Sequence, residues 1–268
     1  MVVPTYARAR FLDEAVASVL GQTVDDLECL VVDDASPAPV SCSIVDDRVR
    51  VIRRTANGGP AAARNTGMAA ARGRYVAFLD DDDRFTEDRL AHALAGLERA
   101  PVSVCWSGDL DRPGAPARGR VLEGDVRHVI RDATVPHVGQ TAAARQSLVA
   151  FDEGLRGGED VEWWIRLAHQ SRVATVCRVG LLYRHHDGER FGSDALVRAE
   201  SLRRILDMHA NYFAAHPRAT AFHLKRIGLT ALRGGDRRAA RRAFTRSLWA
   251  RPQPRTLWHL GRSYRRVG

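Results

Sequence analysis

The chain has 268 residues, 45% of them hydrophobic, so it is long enough to bury a core and too apolar to be disordered throughout. Its net charge of +9 is unevenly spread: residues 1–200 carry 25 Arg against 30 acidic residues, and residues 201–268 carry 16 basic residues against two acidic ones. The mildly acidic first part disfavours a nucleic-acid-binding protein, and four widely separated cysteines disfavour a disulfide framework or a C-x-x-C metal site.

Strand and helix patterns alternate along the first two thirds of the chain. Residues 29–32 form a short apolar, β-branched run that stops at two aspartates, and residues 75–79 form a second such run. Apolar residues recur at helical spacing over 11–20, and an alanine-rich helix is expected over 61–71. Such alternation predicts an α/β fold: a Rossmann-like, mostly parallel sheet with helices on both faces.

Polar residues follow three of the predicted strands. The first strand ends in Pro4, Thr5 and Tyr6, the second at Asp34, and the 75–79 strand at the aspartate run 80–83. Because ligands of such sheets bind outside the carboxyl ends of the strands, we expect these residues to share one edge.

The aspartate run has two interpretations. It could be a D-x-D site that holds Mn²⁺ or Mg²⁺ together with diphosphate oxygens, since hard cations prefer carboxylate ligands. It could equally be a solvated acidic turn that precedes the next helix. Four adjacent carboxylates repel one another, and a bound cation would relieve that repulsion.

The other candidate residues are also open to two readings. Asp34 could accept hydrogen bonds from a base or ribose, or cap a turn. Tyr6 could stack on a base or be partly buried, and Arg64 could face the nucleotide or be an ordinary surface arginine. Asp160 follows Gly157 and Gly158 and could be a general base, or an acidic helix start favoured by the helix dipole.

From residue 198 onward the chain is almost entirely helical in pattern. This predicts two domains, 1–197 and 198–268, the second being a basic, all-helical extension with faint tetratricopeptide-like spacing. The extension could be a cap packed on the main domain or a module that contacts a protein partner or a membrane surface. No transmembrane or leader pattern is present, so we expect a cytoplasmic protein, with a peripheral position at the inner membrane face as a hypothesis.

Five motifs in register resemble the family 2 glycosyltransferases, which have the GT-A fold. The matching text covers about residues 1–195 and reads VVPTY, VVDDAS, NGGPAAARNTG, GRYVAFLDDDD and GED in chain order. One departure is Ala7, where many family members have asparagine.

The resemblance implies a metal-dependent, inverting hexosyltransferase. Such an enzyme moves sugar from a nucleoside-diphosphate donor to a hydroxyl of a glycan, lipid-linked or small-molecule acceptor. Asp160 would deprotonate that hydroxyl, and the metal, Mn²⁺ or Mg²⁺, would stabilise the leaving diphosphate.

The resemblance also implies individual nucleotide and metal contacts. Tyr6, after Pro4 and Thr5, would stack on the base, Asp34 would bind its edge, and Arg64 would lie near the nucleotide. Asp80 and Asp81 would contact ribose or metal. Asp82 would be the main metal ligand, with Asp80 and His186 as further ligands.

Two other functions remain as alternatives. A nucleotidyltransferase on a similar sheet usually has a glycine-rich phosphate loop near its N-terminus, and Arg8 and Arg10 lack that glycine context. A scaffold or binding protein could use the basic helical tail to hold an anionic partner.

Overall fold

A computed structural model describes residues 1–40, 42–127, 135–185 and 194–264. The chain divides into two compact units. The first comprises Met1–Arg127, Pro136–Glu153 and Trp163–Gly188, and the second comprises His128–Val135, Gly154–Glu162 and Glu189–Gly268. The second unit therefore takes in two short segments that precede the predicted boundary at residue 198, and the assignment of 1–197 and 198–268 as domains stays a prediction.

The described strands lie in the first unit; the predicted run 29–32 is confirmed as a strand, and of the predicted run 75–79 residues 75–77 are in a strand. In chain order the strands are β1 Val2–Thr5, β2 Cys29–Asp33, β3 Val49–Arg53, β4 Tyr75–Ala77, β5 Arg84–Phe85, β6 Val102–Asp109, β7 Thr141–Ala144 and β8 Val173–Tyr183.

The helices include the two expected over 11–20 and 61–71, each within two residues at either end. In chain order the helices are α1 Ala9–Leu20, α2 Gly59–Ala70, α3 Arg89–Leu97, α4 Glu159–Gln170, α5 Ala195–Met208, α6 Ala210–Ala215, α7 Pro217–Arg233, α8 Arg237–Ala250 and α9 Pro254–Tyr264. Pro60 stands in the first turn of α2, where its missing amide costs no hydrogen bond.

The strands β1, β2 and β3 form a parallel sheet in that order. All five residues of β2 are buried, as its uninterrupted apolar sequence predicts for a central parallel strand. β1 pairs from Val2 opposite Leu30 to Thr5 opposite Asp33, so the carboxyl ends of both strands lie at one edge.

The second sheet is mixed, with the order β4-β7-β6-β8-β5. β6 and β8 are parallel, whereas β7 is antiparallel to both β4 and β6, a reversal that the sequence pattern did not indicate. The chain after β4 runs beside β1: Val2 bridges Phe78, and the Leu79 amide donates to the Val2 carbonyl at 3.0 Å. This contact places the aspartate run next to the end of β1.

Helices cover both faces of the parallel sheet. Val2 packs so closely against α2 that a Cβ at Gly67 would lie 2.3 Å from its Cγ1. The next residue, Val3, points to the opposite face and belongs to a core cluster with Leu12 and Val16 of α1. The predicted two-sided arrangement is therefore present in the first unit.

The second unit is helical. α7 and α8 approach closely, since a Cβ at Gly228 would lie 2.5 Å from the Phe244 ring. Ala231 and Ala240 complete a small buried cluster with Phe244. Gly228, Ala231, Ala240 and Phe244 are among the residues whose spacing suggests the faint repeat, and here they form the inner face of a helical hairpin. A tetratricopeptide assignment stays a prediction.

Within the described residues, none of the helices combines the length and the apolar composition that crossing a bilayer requires. The four cysteines are free thiols: Cys29 and Cys105 are buried, Cys42 is half-buried and Cys177 is exposed.

Candidate nucleotide and metal site

The aspartate run and the end of β1 meet at one edge of the first unit. The Thr5 hydroxyl donates to Asp81 Oδ2 at 2.6 Å, and Arg8 Nη1 donates to Asp82 Oδ2 at 2.9 Å. Both contacts join residues more than 70 positions apart in sequence. The predicted meeting of Thr5 with the aspartates is therefore present, and Arg8 adds a positive charge to it.

Asp80, the first residue of the run, lies between two basic side chains. Arg64 Nη2 donates to Asp80 Oδ1 at 2.8 Å, and His137 Nε2 lies 3.5 Å from Asp80 Oδ2. Burial favours the protonated form, but the charges of Arg64 and His137 outweigh it and hold the pKa of Asp80 below its ordinary value. Asp80 is therefore an ionised carboxylate, and each of its two oxygens faces a basic side chain.

Asp83, the last residue of the run, is 1% exposed. Its Oδ1 accepts the Arg184 amide at 3.0 Å, but its buried Oδ2 has no hydrogen-bond partner among the residues that the structure describes. Burial, together with the charge of Asp80, raises the pKa of Asp83 to about 8. Near neutral pH this carboxyl group holds a proton, which a bound divalent cation would displace.

Asp81 is also buried. Burial raises its pKa to about 7, although the hydrogen bond from Thr5 opposes the shift. The run thus contains two carboxyl groups that are costly to ionise, next to two that pair with arginines.

Three side chains could hold a cation together. Asp80, Asp83 and His137 each offer one ligand atom, and these atoms lie within 4.8 Å of one another. Two carboxylates and an imidazole suit Mn²⁺, while the carboxylates alone also suit Mg²⁺. This set shares Asp80 with the predicted one. Asp82 is paired with Arg8 instead, and His186 lies outside the described residues.

The ring orientation of His137 affects its use as a ligand. Its Nδ1 accepts the Gly139 amide at 3.3 Å, which leaves the proton of the neutral ring on Nε2, facing Asp80. In this tautomer His137 is a donor to Asp80. Coordination through Nε2 requires the other tautomer and the loss of the contact with Gly139.

Asp34 is 2% exposed and its carboxylate is fully engaged by the protein. The Gly59 amide donates to Oδ2 at 2.6 Å, the Gly58 amide lies 3.1 Å from Oδ1, and Arg54 forms an ion pair with it. These amides open α2, where the helix dipole favours a negative charge. In this structure Asp34 fastens β2 to α2, and a contact between Asp34 and a base stays a prediction.

Its neighbour Asp33 is equally buried. Burial favours the protonated form, but hydrogen bonds from Ser36 and Val40 and the charge of Arg53 hold the pKa of Asp33 below its ordinary value. Arg53 Nη1 lies 2.6 Å from Asp33 Oδ2. The two aspartates therefore fix the loop that follows β2.

Backbone geometry at the same edge is unusual. Ala7 and Ala35, which follow β1 and β2, have φ angles of 53° and 59°, in the left-handed region that alanine rarely adopts. The Ala7 amide donates to Ser36 Oγ at 2.9 Å, which ties the two loops together. Tyr6, which lies between the end of β1 and Ala7, is 45% exposed and accessible to a ligand.

Asp160 belongs to the second unit, where it is half-buried at the start of α4. Gly157 and Gly158 have φ angles of 125° and 84°, so a side chain would be strained at either position. Burial lowers the pKa of the nearby Arg226 guanidinium, and the charge of Asp160 opposes that shift. Arg226 is thus a cationic neighbour of Asp160 that the sequence pattern did not reveal.

Two tryptophans and a histidine near these segments are also placed by the structure. Trp163 and Trp164 are both fully buried, and Trp163 stacks on Phe151 with ring centroids 4.7 Å apart, so neither presents a free face to a sugar. His185 is half-exposed, and its Nε2 lies 3.3 Å from Asp109 Oδ2.

The family follows from the first half of the chain. Residues 1–137, which contain every motif up to the aspartate run and His137, match the model of the family described as "Glycosyl transferase family 2". The chain belongs to glycosyl transferase family 2.

Curated relatives of this family 2 chain agree with the assignment. An uncharacterized glycosyltransferase of Rickettsia felis is 30% identical over 190 residues, which is 66% of this chain and 31% of that protein. The succinoglycan biosynthesis protein ExoW of Rhizobium meliloti is 39% identical over 116 residues, or 40% of this chain and 36% of ExoW. The chain thus spans about a third of the length of these relatives.

Solved structures confirm the predicted fold class. Staphylococcus aureus TarS in complex with UDP-GlcNAc has a TM-score of 0.70 at 19% identity, over 95% of this chain and 81% of that one. The mannosyltransferase PcManGT of Pyrobaculum calidifontis, in complex with GDP-Man and Mn²⁺, has a TM-score of 0.58 at 21% identity. The match covers 97% of this chain and 77% of PcManGT. The family 2 chain therefore has the GT-A fold with a helical C-terminal region.

Sequence reasoning did not assign a role to several residues of this edge. Arg8 lies outside every motif of the resemblance, and the sequence does not distinguish Asp83 from the three aspartates before it. His137 lies in residues 107–145, a stretch without a clear helix or strand pattern. The one sequence feature that could have indicated His137 is its place between Pro136 and the short strand β7. β7 pairs with β4, the strand that leads to the aspartate run.

Proposed function

We propose that the chain is an inverting, metal-dependent glycosyltransferase that uses a nucleoside-diphosphate sugar. The observation that carries the proposal is the meeting of Thr5, Arg8 and Arg64 with the aspartate run 80–83 at one sheet edge. Membership of family 2 favours sugar transfer over the nucleotidyl-transfer and scaffold alternatives. The names of the relatives point to polysaccharide precursors as the acceptor class.

The divalent cation fits the residues at this edge. The orphaned, buried Oδ2 of Asp83 and the two ligand atoms near it are suited to Mn²⁺ or Mg²⁺. Asp82 and Asp80, the positions that the family resemblance assigns to the metal, belong to the same run. The cation, when bound, neutralises negative charge on the departing diphosphate.

The protein side chains supply charge and position. Arg8 and Arg64 hold Asp82 and Asp80 and bring guanidinium groups to the edge that receives the diphosphate. Tyr6 offers its exposed ring to the base. These groups bind the donor and orient its sugar for attack.

The transfer itself is an in-line displacement. The acceptor oxygen forms a bond with the anomeric carbon, and the bond from that carbon to the diphosphate oxygen breaks, with its electron pair leaving on the diphosphate. Asp160 takes the proton of the acceptor hydroxyl. The configuration at the anomeric carbon is thereby inverted.

A donor screen with and without Mn²⁺ tests the proposal. A matching nucleotide sugar should raise the midpoint of thermal unfolding only when the cation is present, since a ligand bound to the folded state stabilises it. Asp82→Ala should abolish this Mn²⁺-dependent shift, and Glu87→Ala, at an exposed position just beyond the run, should leave it unchanged.

The role of Asp160 needs a separate readout. Asp160→Asn should keep the donor-dependent thermal shift and lose transfer to the acceptor, while Asp207→Asn, at an exposed position on α5, keeps both. Full turnover by Asp160→Asn would show that another group takes the proton. Absence of any nucleotide-sugar effect with either cation would overturn the proposed function as a whole.

A further inference from the structure

The last helix of the second unit turns most of its large apolar side chains outward, although Leu260 packs inward against the Phe244 cluster. α9 buries the small polar residues Thr256 and Ser263 completely, and it exposes Leu257 at 61%, Trp258 at 59% and Tyr264 at 61%. Leu257 and Tyr264 lie seven positions apart and share one side of the helix, with Trp258 beside them. A surface helix of a soluble domain ordinarily turns its apolar stripe towards the core.

A second exposed tryptophan precedes α9 closely in sequence. Trp249, at the end of α8, is 84% exposed, and only residues 251–253 separate α8 from α9. We call Trp249, Leu257, Trp258 and Tyr264 the tryptophan face. Several large apolar side chains exposed within one short stretch of chain indicate an interaction site more strongly than a single exposed residue does.

The charge around the tryptophan face defines its partner. Residues 237–268 contain ten arginines and no aspartate or glutamate. Arg262 lies over the Trp258 ring at 5.4 Å, and Arg241 lies over the Tyr264 ring at 4.0 Å. These contacts mix guanidinium groups with the aromatic rings, so the partner must present anionic and apolar groups together.

A groove lined by Tyr264 also combines apolar side chains with arginines. It has a volume of about 810 Å³ and an apolar floor that includes Leu224 and Ile227. One acidic residue, Asp236, lines it, against five arginines: Arg203, Arg238, Arg241, Arg242 and Arg246. The positive charge therefore continues from α9 onto α8 and α5.

We propose that the tryptophan face binds the surface of an anionic phospholipid bilayer. Tryptophan and tyrosine rings favour the headgroup level of a membrane, and arginines beside them pair with lipid phosphates. With 11 residues α9 is too short to cross a bilayer, so we place it in the interfacial layer. A nucleic-acid partner would match the arginines and leave exposed Leu257 unexplained. This inference does not depend on the proposed sugar transfer.

Vesicle flotation with the full chain tests the proposal. The protein should float with phosphatidylcholine vesicles that contain phosphatidylglycerol, remain free with phosphatidylcholine alone, and dissociate as salt rises. The double variant Trp249→Ser/Trp258→Ser should lower the partition coefficient by at least about tenfold, because two apolar anchors are lost. Val121→Ser, which removes an equally exposed apolar residue from the first unit, is the matched control.

Tryptophan fluorescence gives an independent readout. Of the five tryptophans, Trp163 and Trp164 are fully buried and Trp106 is half-buried in the first unit, so most of the quenching by brominated lipid should come from Trp249 and Trp258 and be lost in the double variant. Equal binding to neutral and anionic vesicles, or none to either, would overturn the proposal. So would a dimer in sedimentation velocity that the double variant dissociates, because a second copy would then cover the face.

A loss of vesicle binding is distinguishable from a failure of the proposed sugar transfer. The Mn²⁺-dependent thermal shift with a nucleotide sugar needs no lipid, and the double variant should retain it.

Discussion

Arg8 donates a 2.9 Å hydrogen bond to the Asp82 carboxylate across 74 positions of sequence. The Arg8 side chain is 29% exposed and that of Asp82 is 17% exposed, so the pair lies at the surface of the edge and not in the core. The guanidinium occupies one carboxylate oxygen that the family resemblance gives to a metal ion. Arginine and a divalent cation should therefore compete for Asp82.

We predict that Arg8→Gln strengthens Mn²⁺ binding by the free protein about tenfold, because a unit positive charge within a few ångströms of the cation is removed. The same change should weaken binding of the nucleoside diphosphate. Isothermal titration calorimetry measures both. Arg10→Gln, two positions on and exposed, should alter neither. Unchanged or weaker Mn²⁺ binding by Arg8→Gln would show that Asp82 is not a ligand.

Asp34 gives a prediction about stability. Because its buried carboxylate accepts two α2 amides and pairs with Arg54, Asp34→Ala should lower the free energy of unfolding by about 3 kcal/mol in the absence of any ligand. Denaturant titration checks this value. Asp47→Ala, at an exposed position before β3, should change the free energy little. A ligand-free Asp34→Ala protein as stable as the parent would instead assign the carboxylate to nucleotide binding alone.

The strained alanine after β1 gives a stabilising substitution. Ala7 has a φ angle of 53°, and asparagine, which many family members carry here, adopts this region more readily than alanine. Ala7→Asn should raise the free energy of unfolding by about 0.5–1 kcal/mol, or the thermal midpoint by roughly 2–4 °C. Ala7→Val should lower both, because a β-branched side chain is worse in this conformation. The opposite order of the two midpoints would contradict a left-handed Ala7.

The buried imidazole of His223 should make the stability of the second unit fall at acid pH. It is fully buried, its Nε2 lies 2.7 Å from the Leu202 carbonyl, and burial lowers its pKa from 6.5 to about 4. Between those two pH values the unfolded chain binds a proton that the folded chain does not. The contribution of His223 to stability is therefore complete above pH 6.5 and is lost as the pH falls towards 4.

We expect the free energy of unfolding to fall by up to about 1.4 kcal/mol per pH unit in this window. His223→Gln, which can keep a donor towards Leu202, should flatten the slope, and His169→Gln at an exposed position should not. Denaturant titrations at intervals from pH 7 to pH 4 measure it. Parallel profiles for the parent and His223→Gln would contradict a neutral, buried His223.

The amino-acid sequence alone determined where β1 and β2 end and that the aspartates follow the apolar run 75–79. Apolar, β-branched runs can be buried on both faces of a sheet and aspartates rarely can, so the sequence predicts Thr5, Asp34 and the run 80–83 at strand ends. The structure ends β4 at Ala77, two residues before the predicted end. Parallel strands align their carboxyl ends, and this gave the shared edge at which Thr5 meets Asp81.

Tertiary structure alone decided what each carboxylate at that edge does. The sequence does not distinguish four consecutive aspartates from one another. In the structure Asp83 is buried with one oxygen that has no hydrogen-bond partner among the described residues, and Asp82 accepts a hydrogen bond from Arg8. Asp80 lies between Arg64 and His137. The pKa of a carboxyl group depends on burial and on charges within a few ångströms. Those neighbours come from the residue that precedes α1, from α2 and from the turn before β7, and local sequence does not encode such distances.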